Sequence, residues 1–263
     1  MRIARFANPA GRVAFGVVEG DPGAPTDTLT VAAIAEHPFG PIELTGERWA
    51  LPDVRLLAPV LPSKVVCVGK NYADHVTEMG GDAPPERPVL FLKPSTAVIG
   101  PNDAVRLPPD SQRVDYEGEL AAVVGGLVKD VPREKALDVL LGYTCANDVT
   151  ARDQQRQDGQ WTRAKGHDSF CPLGPWIETV LDPTDLAIRT ELDGELRQES
   201  RTSLLLHDVA TLVSYISHVM TLLPGDVIMT GTPAGVGPLA AGQLVSVTVQ
   251  GIGTLTNPVM ARP

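Results

Sequence analysis

The sequence predicts an α+β fold built on a bent, barrel-like β-sheet. Three observations predict it. The 24 prolines and 25 glycines are spread along all 263 residues, which divides the chain into many short elements without a disordered tract. Apolar runs of strand length recur, while stretches with helical period are few. The two kinds do not alternate regularly, so the pattern of a doubly wound sheet is missing. Aromatic residues are only 5% of the chain, so the core must be made of Val, Leu, Ala and Ile.

In order along the chain, "RIARFA" (2–7) and "GRVAFGVVEG" (11–20) predict a hairpin, and "PDVRLLAPV" (52–60) leads out through prolines. Residues 1–57 are therefore expected to form a small β-rich domain, a lid or packing module, with residues 58–263 as a second, larger domain. "KVVCVG" (64–69) has the apolar run of a buried strand, and "NYADHVTEMG" (71–80) that of a short helix ended by Gly80. "GGDAPPERP" (80–88) is expected to be a mobile loop. "VLFLKP" (89–94), "TAVIG" (96–100), "ELAAVVGGLV" (119–128) and "YTCAND" (143–148) are expected strands. "REKALDVLLG" (133–142) reads as a helix after Pro132, stopped at Gly142. "AIRTELDGELRQES" (187–200) predicts a hairpin about Asp193-Gly194. Val209, Leu212, Val213, Ile216 and Met220 repeat with helical spacing and close before Pro224. "VIMTGTPAGVG" (227–237) is a strand entering a glycine-rich loop, and "LVSVTVQGIGTLTNPV" (244–259) a last hairpin.

Composition narrows the function. A net charge of −10 argues against nucleic acid or an anionic membrane as partner. It leaves room for an anionic small substrate, since a bound metal and local cations reverse the sign inside a pocket. Cys67, Cys145 and Cys171 form no CxxC pair and are expected as buried, reduced thiols. "MRIARFANPAG" has no signal-peptide apolar region, and no apolar run reaches the roughly eighteen residues of a membrane span. A cytoplasmic location is expected.

Glu117 and Glu119 open an apolar run in "VDYEGELAAVVG" (114–125). On an extended chain residues two apart share a face, and two buried carboxylates need a cation between them. Asp148, at a strand end, is the candidate third member. Three carboxylates without thiolate or imidazole suit Mg²⁺ or Mn²⁺, with Ca²⁺ also compatible, rather than zinc. Read alone, the pair also fits a solvated strand face. His75 and Glu78 are three apart, so on a helix they touch, and a carboxylate raises the basicity of an imidazole. An ordinary surface pair has the same spacing. Arg152, Gln155 and Lys165 follow Asp148 closely, as a site for an anionic substrate requires, though ordinary charge on a helix surface has the same pattern. Thr232, in a glycine loop without a P-loop lysine, is a weak candidate contact for a carboxylate or phosphate.

Seven blocks in order carry a resemblance: "VGKNYADHVTEM", "PVLFLKPSTAVIG", "DYEGELAAVVG", "ANDVTARDQQ", "WTRAKGHDSFCPLGPW", "DGELRQES" and "GDVIMTGTPAGVG". Together they resemble the fumarylacetoacetate hydrolase family from about Lys64 to the C-terminus. The resemblance implies a bent mixed-sheet pseudobarrel, usually dimeric, with Mg²⁺ or Mn²⁺ on the acids that match Glu117, Glu119 and Asp148. In the acylpyruvase and oxaloacetate decarboxylase branch, the matches to His75 and Glu78 form a dyad on a helix that orders over the substrate. Arg152, Gln155, Lys165 and Thr232 match residues that hold a 2-oxo acid. The N-terminal unit is more similar to that of bacterial 2-hydroxyhepta-2,4-diene-1,7-dioate isomerases.

The first expectation is thus a metal-dependent enzyme forming an enolate from a 2-oxo acid, by acylpyruvate C–C hydrolysis or oxaloacetate decarboxylation. His75, Glu78 and Lys165 would be catalytic. The alternatives are an isomerase of dienol diacids and a metal-dependent binding module without turnover.

Overall fold

The computed structural model of the protein describes residues 1–21, 23–81 and 83–261. A bent mixed sheet runs through the molecule. The strand Gly118–Val124 lies near its middle, antiparallel to Leu140–Asn147 on one side and to Val227–Met229 on the other. Beyond Val227–Met229 come the parallel strand Val65–Gly69 and then Val89–Lys93. Beyond Leu140–Asn147 comes Cys171–Glu178, which pairs with Arg2–Ala7 through Arg2↔Glu178 and Ile3↔Ile177. The N-terminal strands Val13–Glu19, Thr30–Ile34 and Leu44–Ala50 continue the same sheet outward. A second sheet holds the hairpins Ala187–Leu192/Glu195–Arg201 and Leu244–Val249/Gly253–Ala261, with Val105–Leu107 at its edge.

Both faces of the central strands are buried, which is why they read as apolar runs and not as alternation. Val66, Val68, Leu120 and Ala122 face one cluster, together with Val209, Leu212, Val213 and Ile216. Val65, Cys67, Ala121, Val123 and Met229 face another. All three cysteines are free and buried.

There are four α-helices among the described residues: α1 (Ala73–Glu78), α2 (Arg152–Asp158), α3 (Thr162–Gly166) and α4 (Val209–Val219). The apolar repeat sets α4, and the Asp208 side chain caps it by accepting from Thr211 N–H at 2.8 Å. Met220, the last member of the repeat, is already extended.

The structure corrects three expectations. "REKALDVLLG" is not a helix: Arg133–Lys135 forms one 3₁₀ turn, and a strand begins at Leu140. Pairing with two neighbouring strands outweighs local helix propensity there. Gly142 serves close strand approach and not helix termination, since a Cβ would lie 2.3 Å from Glu178 O. In "TAVIG" only Val98–Ile99 is strand, after a 3₁₀ turn over Ser95–Ala97. Glu117 and Glu119 do not share one strand. The chain switches sheets at Glu117, leaving Val114–Tyr116 paired with Thr150–Ala151 and Gly237–Pro238. The expected loop 80–88 has no regular structure among its described residues, and Asp82 lies outside them.

Candidate metal centre and active site

The bend at Glu117 does what alternation along one strand was expected to do: it turns both glutamates to the same side. Asp148 N–H donates to Glu117 O at 2.8 Å, and Glu117 N–H donates to Asn147 Oδ1 at 2.9 Å, so the Asn147-Asp148 corner is stitched to it. Oxygen atoms of Glu117, Glu119 and Asp148 all lie within 4.8 Å of one another, and all three residues are buried.

Cations balance two of these acids. Lys165, on α3, donates through Nζ to Glu117 Oε2 at 2.8 Å and to Asp148 Oδ2 at 2.6 Å. Arg152, at the start of α2, donates through Nη2 to Glu117 Oε1 and through Nε to Asp115 Oδ2 at 2.8 Å. Burial alone would raise the Glu117 carboxyl, but Arg152 and Lys165 hold it well below the usual carboxylate range. Burial likewise opposes charge on Lys165, and Asp148 and Glu117 outweigh it, leaving the ammonium above its ordinary value.

Glu119 differs. Its Oε2 accepts from Gly231 N–H at 2.7 Å, and it has no ion pair among the described residues. Burial first, then the charges of Asp148 and Glu117, push its carboxyl well above the ordinary value. Gly231 is required for this contact: its φ is +106° and a Cβ would lie 2.8 Å from Asn71 Cβ.

Lys93 completes the cluster and was not anticipated. It is fully buried at the end of its strand, and Nζ donates to the carbonyls of Val149 (3.1 Å), Lys165 (2.6 Å) and Phe170 (2.8 Å). Those three bonds use its three hydrogens. Asp148 Oδ1, 2.7 Å from the same Nζ, is therefore a charge contact without a hydrogen bond, and it remains a buried acceptor without a donor. A divalent cation fits this donor set. Three hard oxygens converge, one of them is an orphaned acceptor, and the one acid without a cation is destabilised as an anion by the other two.

Beside the acids, His75 on α1 is buried, and its Nδ1 lies 3.1 Å from Glu78 Oε2. A carboxylate only accepts, so Nδ1 carries a hydrogen, and in the neutral ring Nε2 would present a lone pair. Gly235 N–H donates to Glu78 Oε1 at 2.9 Å, which anchors the dyad to the glycine loop.

These groups line one cavity of about 200 Å³ containing His75, Glu117, Glu119, Asp148, Arg152, Gln155, Lys165 and Thr232. Gln155 Oε1 accepts from Arg152 Nη1 at 3.0 Å. The Thr232 hydroxyl is already committed, donating to Gly118 O at 2.9 Å and accepting from Gln198 Nε2 at 2.8 Å. A larger cleft of about 780 Å³ lies between the N-terminal strands and the last hairpin, but it has no such acid cluster among the described residues. The converging acids and cations lie at the smaller cavity.

Sequence reasoning missed Lys93, Asp115 and Trp161. Asp115 continues the spacing of 117 and 119 and was legible in principle. A lysine closing the apolar run "VLFLK" was a fainter signal. Trp161, whose ring meets Phe91 edge-on at 5.2 Å in the cavity wall, carried none.

Comparison with known proteins agrees with this fold. The 5-carboxymethyl-2-hydroxymuconate delta-isomerase from Mycobacterium smegmatis is 61% identical over all of both chains, with a TM-score of 0.92. The 2-hydroxyhepta-2,4-diene-1,7-dioate isomerase from Mycobacterium marinum is 57% identical over 100% of this chain and 99% of that one, with a TM-score of 0.93. A fumarylpyruvate hydrolase from Pseudomonas aeruginosa, in complex with Mn²⁺ and pyruvate, is 37% identical over 76% of this chain and 90% of that one, with a TM-score of 0.72. The mitochondrial oxaloacetate tautomerase fahd2 of Xenopus laevis is 42% identical over 79% of this chain and 69% of that protein. Residues 1–59 match the Rv2993c-like N-terminal family, and residues 64–260 match the fumarylacetoacetate (FAA) hydrolase C-terminal family. With that match over most of its length and a buried carboxylate triad of hard-metal type, the chain belongs to the fumarylacetoacetate hydrolase family as one of its metal-binding enzymes.

Proposed function

We propose that the protein is a divalent-metal-dependent isomerase of 2-hydroxy-dienoic diacids, converting a dienol to its 2-oxo-3-ene tautomer. The observation that carries this reading is identity near 60% to two such isomerases along the whole chain. It moves hydrolysis and decarboxylation, the first expectation from sequence, to second place.

When bound, Mg²⁺ or Mn²⁺ held by Glu117, Glu119 and Asp148 would stabilise negative charge on the substrate's 2-oxygen and C1 carboxylate. The chain's own groups do the rest. The 2-hydroxyl loses its proton and C2–O becomes a carbonyl. The double bonds shift from C2=C3 and C4=C5 to C3=C4, and C5 gains a proton. His75 Nε2 is the base that carries the proton, with Glu78 fixing the tautomer. Lys165 Nζ spends two of its three hydrogens on Glu117 and Asp148, and the third can hydrogen-bond the developing oxyanion. Gln155 and Arg152 orient the carboxylate end, and Trp161, its ring packed edge-on against Phe91, supplies an apolar wall.

A second reading, C–C hydrolysis of an acylpyruvate, is favoured by the same dyad, which could activate a water molecule. Proton NMR in D₂O with the Mg²⁺-loaded protein and 2-hydroxyhepta-2,4-diene-1,7-dioate separates the two. Metal-dependent loss of the dienol with one deuterium entering at C5 is expected. Conversion no faster than in the metal-free control would sink the isomerase reading, and pyruvate release from acetylpyruvate in a parallel sample would favour the second. His75→Ala should slow isomerisation by about 10²-fold or more.

A further inference from the structure

With all four acids ionised, as metal ligation would require of Glu119, the charges around the acid cluster balance among themselves. Asp115, Glu117, Glu119 and Asp148 are met by Lys93, Arg113, Arg152 and Lys165, and every acid but Glu119 is in an ion pair. One divalent cation would leave this cluster with two positive charges. The C1 carboxylate and the oxygen of an enolate would neutralise both. Nothing in the cluster remains for a third negative charge.

Two further cations line the same cavity, Lys70 and Arg156. Both are exposed. Arg156 Nε donates to Arg152 O at 3.2 Å, and neither side chain has an acid partner among the described residues. Acids outnumber lysines and arginines by 32 to 22, so two unpaired cations on one small cavity are the less expected arrangement.

The backbone points the same way. Lys70 has φ +58°, a left-handed conformation that costs a residue other than glycine about 1 kcal/mol or more. Its neighbour Asn71 fixes the kink by donating through Nδ2 to Thr230 O (2.8 Å) and His207 O (3.0 Å), while Asn71 Oδ1 accepts from His207 N–H at 2.9 Å. Lys70 thus stands at the cavity in a backbone conformation that glycine would adopt without strain. Arg156 lies one turn beyond Arg152 on α2, hence on the face that meets the site.

We propose that Lys70 and Arg156 form a subsite for the second carboxylate of a dianionic substrate, so that the enzyme selects diacids over monoacids of equal length. This rests on the functional reading above and adds the residues that read the far end of the substrate.

Isothermal titration of the Mg²⁺-loaded protein with 2-oxoadipate and 2-oxohexanoate tests it, because the two ligands share a chain length and differ in one carboxylate. The wild type should prefer the diacid by about tenfold or more, and the preference should weaken with salt. In K70G/R156Q that preference should fall by about tenfold, equivalent to about 1.4 kcal/mol. Glycine suits the left-handed position, so loss of folding is not the expected result, and stoichiometric Mn²⁺ binding by electron paramagnetic resonance checks the acid cluster. K70R/R156K should restore most of the preference. An unchanged preference in K70G/R156Q, or equal binding of both ligands by the wild type, overturns the subsite and leaves the functional reading standing. Failure of both ligands to bind the wild type overturns that reading, and the subsite with it.

Discussion

Glu119 is the residue whose state most depends on what lies beside it. Its carboxyl is raised above the ordinary value of 4.5 by burial and by Asp148 and Glu117. A carboxyl raised in the folded state contributes stability at low pH, and loses it as pH rises through the folded value. The metal-free protein should therefore lose thermal stability as pH rises above the ordinary carboxylate range, and Glu119→Gln should flatten that slope. A slope that persists in the variant would assign it to other groups. The same substitution should abolish stoichiometric Mn²⁺ binding, and retained binding would remove Glu119 from the ligand set. Lys93 is the other decisive residue. Lys93→Met would leave three buried carbonyls without a donor and Asp148 with Lys165 as its one remaining cation among the described residues, a loss of about 3–5 kcal/mol measurable as a lower urea midpoint.

At the scale of elements, the site depends on the parallel pair Val65–Gly69 and Val227–Met229, which carries the chain into α1 on one side and into the glycine loop on the other. Asp226 pins the start of both strands. Its carboxylate accepts from Ser63 Oγ at 2.7 Å, Ser63 N–H at 3.1 Å, Leu223 N–H at 2.8 Å and Lys64 Nζ. Burial would raise this carboxyl, but these partners hold it below the ordinary value. Its stabilisation is thus present above the unfolded-state value and lost as pH falls through the folded one. Asp226→Ala should cost about 3 kcal/mol or more near neutral pH, and much less in acid. An equal cost at both pH values would argue against the ion pair.

Across the whole molecule, the N-terminal strands continue the main sheet through Arg2–Ala7 and Cys171–Glu178. Phe6, Val18, Leu29 and Val31 belong to the same apolar cluster as Leu120 and Val213. Deleting residues 1–57 would uncover that cluster and a strand edge. The truncated protein should aggregate, and the full chain should unfold in one calorimetric transition. Two resolved transitions would mean that the parts are energetically independent.

The mixed α+β class, the two late hairpins and α4 follow from local pattern, because each depends on spacing or turn residues within about twenty positions. Glu117, Glu119, Asp148, His75, Glu78, Arg152 and Lys165 were likewise legible as residue types in order. Their convergence was not, since it depends on pairings between segments far apart in the chain. The switch of sheets at Glu117, the Lys93 ammonium set among carbonyls from three segments, and the 3₁₀ turn and strand that replace a plausible helix at 133–142 all arise from such contacts. Local preferences amount to tenths of a kcal/mol per residue, whereas a buried strand or an unpaired buried charge involves several, so tertiary pairing prevails wherever the two disagree.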